Sequence, residues 1–373
     1  MACFDSAQRA EIGIARFPFT WKLKMKEIKQ HIVFLTPGFA KSEVDSTTIP
    51  ALQVFLKSMR NALPEAKLTL LAFQFPFTRK KYNWHGIEII PLDGRNKKFQ
   101  KLLIWRKARR TLQKLHKKEK IDTIHSFWIG ECSRVGQKFA KKHKVNHVVT
   151  VMGQDASIKN SYAKNLMNSN VKMVTLSENH QAKLTKTYNL NSTIIPWHLD
   201  VSEFPPLTES TIDILGVGSL NTIKNYVDFI DVISAVAKTH KNLKVTIIGD
   251  GSMRSELETK IKNLQLENTI SLLGELPRTE VLKKMAQAKI LLHTSMYESF
   301  GFVFLEALYS GMQLVSHNVG LAKASENWHV GTDKIDLIEA CKILLLEKNR
   351  QKKRVILSTE TETINAYLSL YHA

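Results

Sequence analysis

Apolar residues alternate between two rhythms from residue 31 onward. Short unbroken runs at His31–Thr36, Leu68–Phe73, Ile87–Pro91, Asp122–His125, Asn146–Met152 and Val171–Leu176 have the length of strands. Their continuous hydrophobicity is what a sheet covered on both faces requires. Between them lie segments of helical character: one beginning near Thr48–Pro50, then Arg95–Lys120, Ser133–Lys142 and Glu178–Tyr188. The rhythm breaks at Pro196–Pro206, a polar stretch with three prolines that reads as a linker. It then restarts with strands Ile212–Val217, Lys244–Ile248, Ile270–Leu273 and Lys289–Leu292, and helices Asn225–Thr239, Met253–Asn263, Thr279–Ala288 and Phe302–Tyr309. Two closing helices are expected over 332–347 and 350–370. Strand–helix alternation predicts parallel sheets wound on both faces, with ligands at the carboxyl ends of the strands.

The expected division is an extension over 1–30, a first domain over 31–196, a linker over 197–211, a second domain over 212–350 and a terminal helix over 351–373. That helix is expected to cross back to the first domain. A chain of 373 residues can bury two cores. No run of 18 apolar residues is present, so no spanning helix is expected. The apolar patch Ile12–Phe19 is broken by Arg16 and lacks a small-residue cleavage site, which argues against a signal peptide. Cys3, Cys132 and Cys341 are odd in number and far apart, pointing to a reducing compartment rather than a disulfide or zinc framework.

Charge changes the picture more. The net charge is +20, and residues 1–200 hold 35 lysines and arginines against 14 acids, whereas residues 201–373 hold 19 against 20. Arg95–Lys120 alone carries twelve cations and one acid, interleaved with Phe99, Leu102, Leu103, Trp105, Leu112 and Leu115. Part of this helix must roof the sheet. The rest reads as a solvated face or as a surface for anionic membranes, with Trp105 and Phe99 at the headgroup level. Nucleic acid is the rival partner, disfavoured because no nucleic-acid motif or aromatic–basic repeat is present.

The densest chemistry is in His293–Gly320. Phe302–Tyr309 reads as a helix apolar on nearly every face, yet Glu306 sits in its middle, where an unpartnered carboxylate would cost several kcal/mol. Glu298 lies eight residues earlier, in the turn Tyr297-Glu298-Ser299-Phe300-Gly301. Between the two acids, the amides of Phe300, Gly301, Phe302 and Val303 form a helix N-terminus suited to an anion, and Gly301 leaves room for a ligand to approach. Either glutamate alone reads equally well as a first-turn acid or a domain-edge ion pair.

Glu298-x7-Glu306, followed by SGMQLVSHNVG, closely resembles the signature of retaining glycosyltransferases of family 4, departing from it at Gln313, where proline is usual. The resemblance implies the GT-B fold: two doubly wound, Rossmann-like α/β domains facing across a cleft. It implies that Glu306 holds the ribose hydroxyls and Glu298 the sugar hydroxyls of a nucleotide diphosphate sugar. Gly216-Val217-Gly218-Ser219-Leu220-x3-Lys224 is similar to the family's G-R-x4-K segment, so Lys224 is expected to grip the diphosphate, with Ser219 in place of the arginine. Ile247–Gly251 and Leu273–Pro277 resemble the elements that pass the nucleobase, Gly249 among them. Gly38 stands where the family has a glycine-rich loop. His125 and Asp155 are the polar survivors of two family motifs in which Phe127 and Met152 replace histidines. Because no Asp-x-Asp pair occurs, the resemblance implies a metal-independent transferase needing no cofactor.

The activity implied is transfer of a sugar to an acceptor hydroxyl, on a glycan or a lipid-linked acceptor in envelope glycan or glycolipid synthesis, by a cytoplasmic protein peripheral on the inner face of the cytoplasmic membrane. The rival readings are a sugar-nucleotide epimerase or a phosphorylase on the same fold, which the glutamate spacing disfavours, and a basic nucleic-acid- or membrane-binding module without catalysis.

Overall fold

The computed structural model describes residues 30–373, apart from 158, 168, 348, 349 and 373. The expected extension over 1–30 therefore falls almost wholly outside the described residues. The first sheet holds β1 (His31–Gly38), β2 (Lys67–Phe75), β3 (Tyr82–Trp84), β4 (Ile87–Pro91), β5 (Thr123–Phe127), β6 (Asn146–Thr150), β7 (Lys172–Thr175) and β8 (Thr193–Ile194), in the order β3-β4-β2-β1-β5-β6-β7-β8. Only the β3–β4 pair is antiparallel. Helices α1 (Pro50–Ala62), α2 (Lys101–Lys118), α3 (Glu131–His143) and α4 (Glu178–Tyr188) cover it.

The second sheet is parallel, with β9 (Ile212–Val217), β10 (Val245–Ile248), β11 (Ile270–Leu272), β12 (Ala288–His293), β13 (Gln313–His317) and β14 (Trp328–Gly331) in the order β11-β10-β9-β12-β13-β14. Around it pack α5 (Tyr226–Ala237), α6 (Arg254–Asn263), α7 (Arg278–Ala286), α8 (Phe302–Tyr309) and α9 (Lys334–Leu346).

Two expected boundaries move for physical reasons, and three strands appear that the sequence reading did not include. The basic helix starts at Lys101 rather than Arg95, because Asp93, Arg95 and Asn96 all have positive φ and close a turn before a short 3-10 segment at Lys98–Gln100. Those strands, β3, β8 and β14, are short and lie at the sheet edges, where pairing on one side alone asks for less of an apolar run. The second closing helix begins only at Glu360, as α10 (Glu360–His372), because the segment before it is pinned in extended form. There Lys352 Nζ donates to the Ala286 carbonyl at 2.5 Å, the Arg354 guanidinium lies over Tyr309, and Ser358 Oγ reaches the Trp197 carbonyl.

Helix α10 returns to the first domain. Ile364, Tyr367, Leu368 and Tyr371 are buried in the same apolar cluster as Phe34, Phe55, Phe127 and Trp197. Tyr367 meets Phe55 edge to face with ring centroids 4.8 Å apart, and its hydroxyl takes the Trp197 indole N–H at 3.1 Å.

Candidate active site

Helix α8 sits where the two domains meet, which accounts for its nearly all-round apolarity. Phe300 and Leu305 join the first domain's core cluster, while Phe304, Ala307 and Leu308 join the second's. Gly301 caps the helix with φ +79, and a Cβ there would stand 2.4 Å from the Phe304 ring. The glycine is thus demanded by the turn and by Phe304, in addition to leaving the Phe302 and Val303 amides unobstructed.

Glu306 is only 7% exposed. Its carboxylate is bonded by Arg278 Nη1, and Arg278 Nε donates to Glu203 at 2.7 Å. Burial pushes the Glu306 carboxyl up, against the opposing pull of Arg278. The guanidinium also lies 5.7 Å from the centre of the Phe302 ring. Glu306, Arg278 and Phe302 line a cavity of about 430 Å³ together with Gly218, Ser219 and Gly249. The opposite wall comes from the first domain: Ser46, Thr47, Pro50 and Ala51. Gly249 is fixed by close approach, since a Cβ there would fall 1.9 Å from the Gly218 carbonyl oxygen.

Beside Gly218 runs the Lys224 side chain, its Cε 3.5 Å from where a Gly218 Cβ would stand. Lys224 Nζ is ion-paired with Glu298 Oε1, and His293 Nε2 lies 2.9 Å from the same oxygen. Burial alone would raise the Glu298 carboxyl, but the His293 hydrogen bond and the Lys224 charge bring it down to about 2. The structure therefore joins Lys224 and Glu298, which the sequence reading assigned to different parts of a donor. His293 was legible only as the end of a strand; the β12 strand ends where its ring can reach the turn that carries Glu298.

Ser299 occupies the seam between domains. Its hydroxyl accepts from the Gly153 amide at 3.0 Å, and its carbonyl accepts from Ser177 Oγ at 2.7 Å. Tyr297 donates its hydroxyl proton to the Gly153 carbonyl at 2.7 Å, and Asn179 Nδ2 donates to the Gly320 carbonyl at 3.1 Å. Ser299, which the sequence reading also counted among the donor-binding residues, is thus a bridging residue here.

Three other expected residues take different places. His125, expected to contact the donor sugar, is fully buried in the first domain's core, its Nδ1 2.7 Å from the Tyr371 hydroxyl and its Nε2 2.8 Å from Thr150 Oγ1. Burial holds its pKa well below the usual value. Both nitrogens are used up in tying α10 to β6, so the expectation of a catalytic histidine is corrected to a structural one. Asp155 is also buried, and its carboxylate accepts from the Ile129 amide at 2.6 Å and the Met152 amide at 3.0 Å. Burial pushes it up to about 7. It ties the loops after β5 and β6 together instead of facing the cavity. Gly38 ends β1 at a register shift and is not among the cavity-lining residues; that wall is built by the loop that follows it.

Besides His293, sequence reasoning missed Arg278. It follows Leu273-Gly274-Glu275-Leu276-Pro277 directly, but nothing in a 28-residue spacing to Glu306 marks the pair before the chain folds.

Residues 201–355 match the family model described as Glycosyl transferases group 1. Over 168 residues the chain is 28% identical to a glycogen synthase of Mycobacterium tuberculosis, a match covering 43% of this chain and 40% of that protein. The chain thus matches well under two thirds of the length of this curated relative. Among solved structures, Anabaena HepE in complex with UDP-glucose aligns with a TM-score of 0.63 at 16% identity, covering 92% of this chain and 94% of that one. WaaG, a glycosyltransferase involved in lipopolysaccharide biosynthesis, aligns with a TM-score of 0.60 at 13% identity, covering 91% and 94%. The two-sheet architecture is that of the GT-B fold.

Proposed function

We propose, for a chain whose residues 201–355 match the glycosyl transferases group 1 model and whose fold is GT-B, that it transfers a sugar from a nucleotide diphosphate sugar to an acceptor hydroxyl. The observation that carries this reading is the interdomain cavity: Glu306 and Arg278 line it, the α8 N-terminus stands beside it, and Lys224 runs along its Gly218 edge. Cleaving the anomeric C–O bond builds negative charge on the departing diphosphate. Lys224 and the amides at the start of α8 are preorganised to meet that charge, which is where electrostatic catalysis gains most. The finer reading is a retaining, family 4-like enzyme whose diphosphate is met by these groups without a metal ion or a cofactor.

The direct test is thermal stabilisation screened across UDP-, GDP- and ADP-sugars, followed by a transfer assay with the best donor. A ligand at a hundred times its Kd should add about 2.7 kcal/mol. No shift with any nucleotide sugar would sink the reading. Glu306→Gln keeps the shape and removes the charge that would accept ribose hydroxyls. Donor KM should rise with only a modest loss of kcat, the mark of binding lost equally from ground and transition states. Unchanged kinetics with lowered stability would make the glutamate structural only.

The acceptor we propose is a glycan or lipid-linked molecule of envelope synthesis, presented at the inner face of the cytoplasmic membrane, with the protein docked through α2. No helix of the described residues is long and apolar enough to cross a membrane. Phe99, Leu102 and Leu103 are exposed at the start of α2, and Arg106, Arg109, Arg110 and Lys114 are exposed or half-buried along it. Trp105 is not part of that tip: it is half-buried, with Lys101 and Arg134 over its ring at 5.5 and 5.2 Å. Lys107 is also turned inward, its Nζ donating to the Leu92 carbonyl at 2.9 Å. Sedimentation should therefore show binding to anionic but not neutral liposomes, weakened by salt because exposed charges are screened beyond roughly 8 Å at physiological ionic strength. Replacing Arg106, Arg109, Arg110 and Lys114 by glutamine should release the protein while leaving donor binding intact. Equal binding to neutral liposomes would sink the electrostatic reading, and no binding to anionic ones would return the helix to a solvated face.

A further inference from the structure

The cavity wall contains one polar group without a partner. Arg278 Nε is satisfied by Glu203 and Nη1 by Glu306, but Nη2 is buried with no hydrogen-bond partner. Buried N–H groups are nearly always paired, so an orphan on a residue that lines the cavity marks a donor that a bound acceptor can satisfy. The local charge restricts what that acceptor is. One guanidinium shared by two carboxylates leaves a net negative spot, which repels a phosphate oxygen. A neutral hydroxyl fits, because it can accept from Arg278 and donate to Glu306 at the same time.

We propose that Arg278 reads the sugar of the donor nucleoside: its Nη2–H donates to a ribose hydroxyl oxygen while that hydroxyl donates its own proton to Glu306. The cavity then selects ribonucleoside over deoxyribonucleoside diphosphates. This rests on the cavity being the donor site. Arg278 is a specificity residue whose fork is held in place by Glu203 from the interdomain linker and by the Phe302 ring. Lysine cannot do the same work, because a single ammonium does not present three donors in a fixed plane.

The test uses the full chain and whichever of UDP, GDP and ADP stabilises it most, compared by titration with its 2′-deoxy and 3′-deoxy counterparts. Wild type should bind at least one deoxy form tenfold or more weakly, since a hydrogen bond to a charged group is worth about 1.5–3 kcal/mol. Arg278→Lys should lower that discrimination at least threefold, leaving only the share that the hydroxyl's bond to Glu306 supplies. If Arg278→Lys does not fold, Glu203→Gln, which loosens the guanidinium but leaves Glu306 in place, should reduce the discrimination in the same direction. Binding of the ribonucleotide with no discrimination by wild type overturns this inference but leaves the transferase reading standing. Full discrimination retained in the folded Arg278 variant, or in Glu203→Gln if that variant does not fold, overturns it too. Failure of wild type to bind any of the three diphosphates removes the donor site itself and the inference with it.

Discussion

Lys224→Ala should lower kcat by about a hundredfold or more, with a smaller change in donor KM. A preorganised cation aimed at charge that develops on a leaving group acts mainly in the transition state, and removing one such donor commonly costs that much. No second cation stands in for it at Ser219, the position where the glycosyltransferase segment that this stretch resembles has an arginine. The ion pair with Glu298 sharpens the expectation: without Lys224, Glu298 keeps only His293 as a partner at its Oε1. Stability should therefore fall as well, since a buried carboxylate that loses its cation is left under-compensated. Steady-state kinetics on the folded variant decide the matter, and activity within twofold of wild type would place the phosphate site elsewhere.

Tyr367→Ala should destabilise the protein on the order of 4 kcal/mol, far from any ligand. The side chain is fully buried, meets Phe55 edge to face, and bonds both the Trp197 indole N–H and Thr150 Oγ1. Truncation removes a large aromatic volume and leaves the Trp197 indole N–H without its partner, while Thr150 Oγ1 keeps only His125. Tyr367→Phe isolates the hydroxyl and should cost about 1–3 kcal/mol. Denaturant titration read through tryptophan fluorescence tests both, Trp197 being the reporter beside the lost group. A Tyr367→Ala midpoint equal to wild type would show that α10 contributes no stability to the first domain.

Alternation of short unbroken apolar runs with helical segments was enough to give two wound parallel sheets, because strands covered on both faces cannot look otherwise. The Glu298–Glu306 spacing and the glycine before the helix were legible for a similar reason: a helix N-terminus with an acid at each end is a local arrangement, written in consecutive residues. The sequence also showed that the excess charge belongs to residues 1–200.

Partners were another matter. That Lys224 meets Glu298, that Arg278 meets both Glu203 and Glu306, and that Ser299 bridges to Gly153 and Ser177 depend on where two separately folded sheets bring their loops. The same holds for His125, whose strand-end position resembles a site until α10 arrives from 246 residues away and takes its Nδ1. Trp105 and Lys107 looked like surface groups in a basic helix and were turned inward by neighbours that no periodicity announces. Local backbone preference and burial pattern follow from a few neighbouring residues, so the sequence by itself determined the elements and the motif. Which charges are neutralised, and which donor is left over for a ligand, is fixed by long-range packing, and only the tertiary structure decided it.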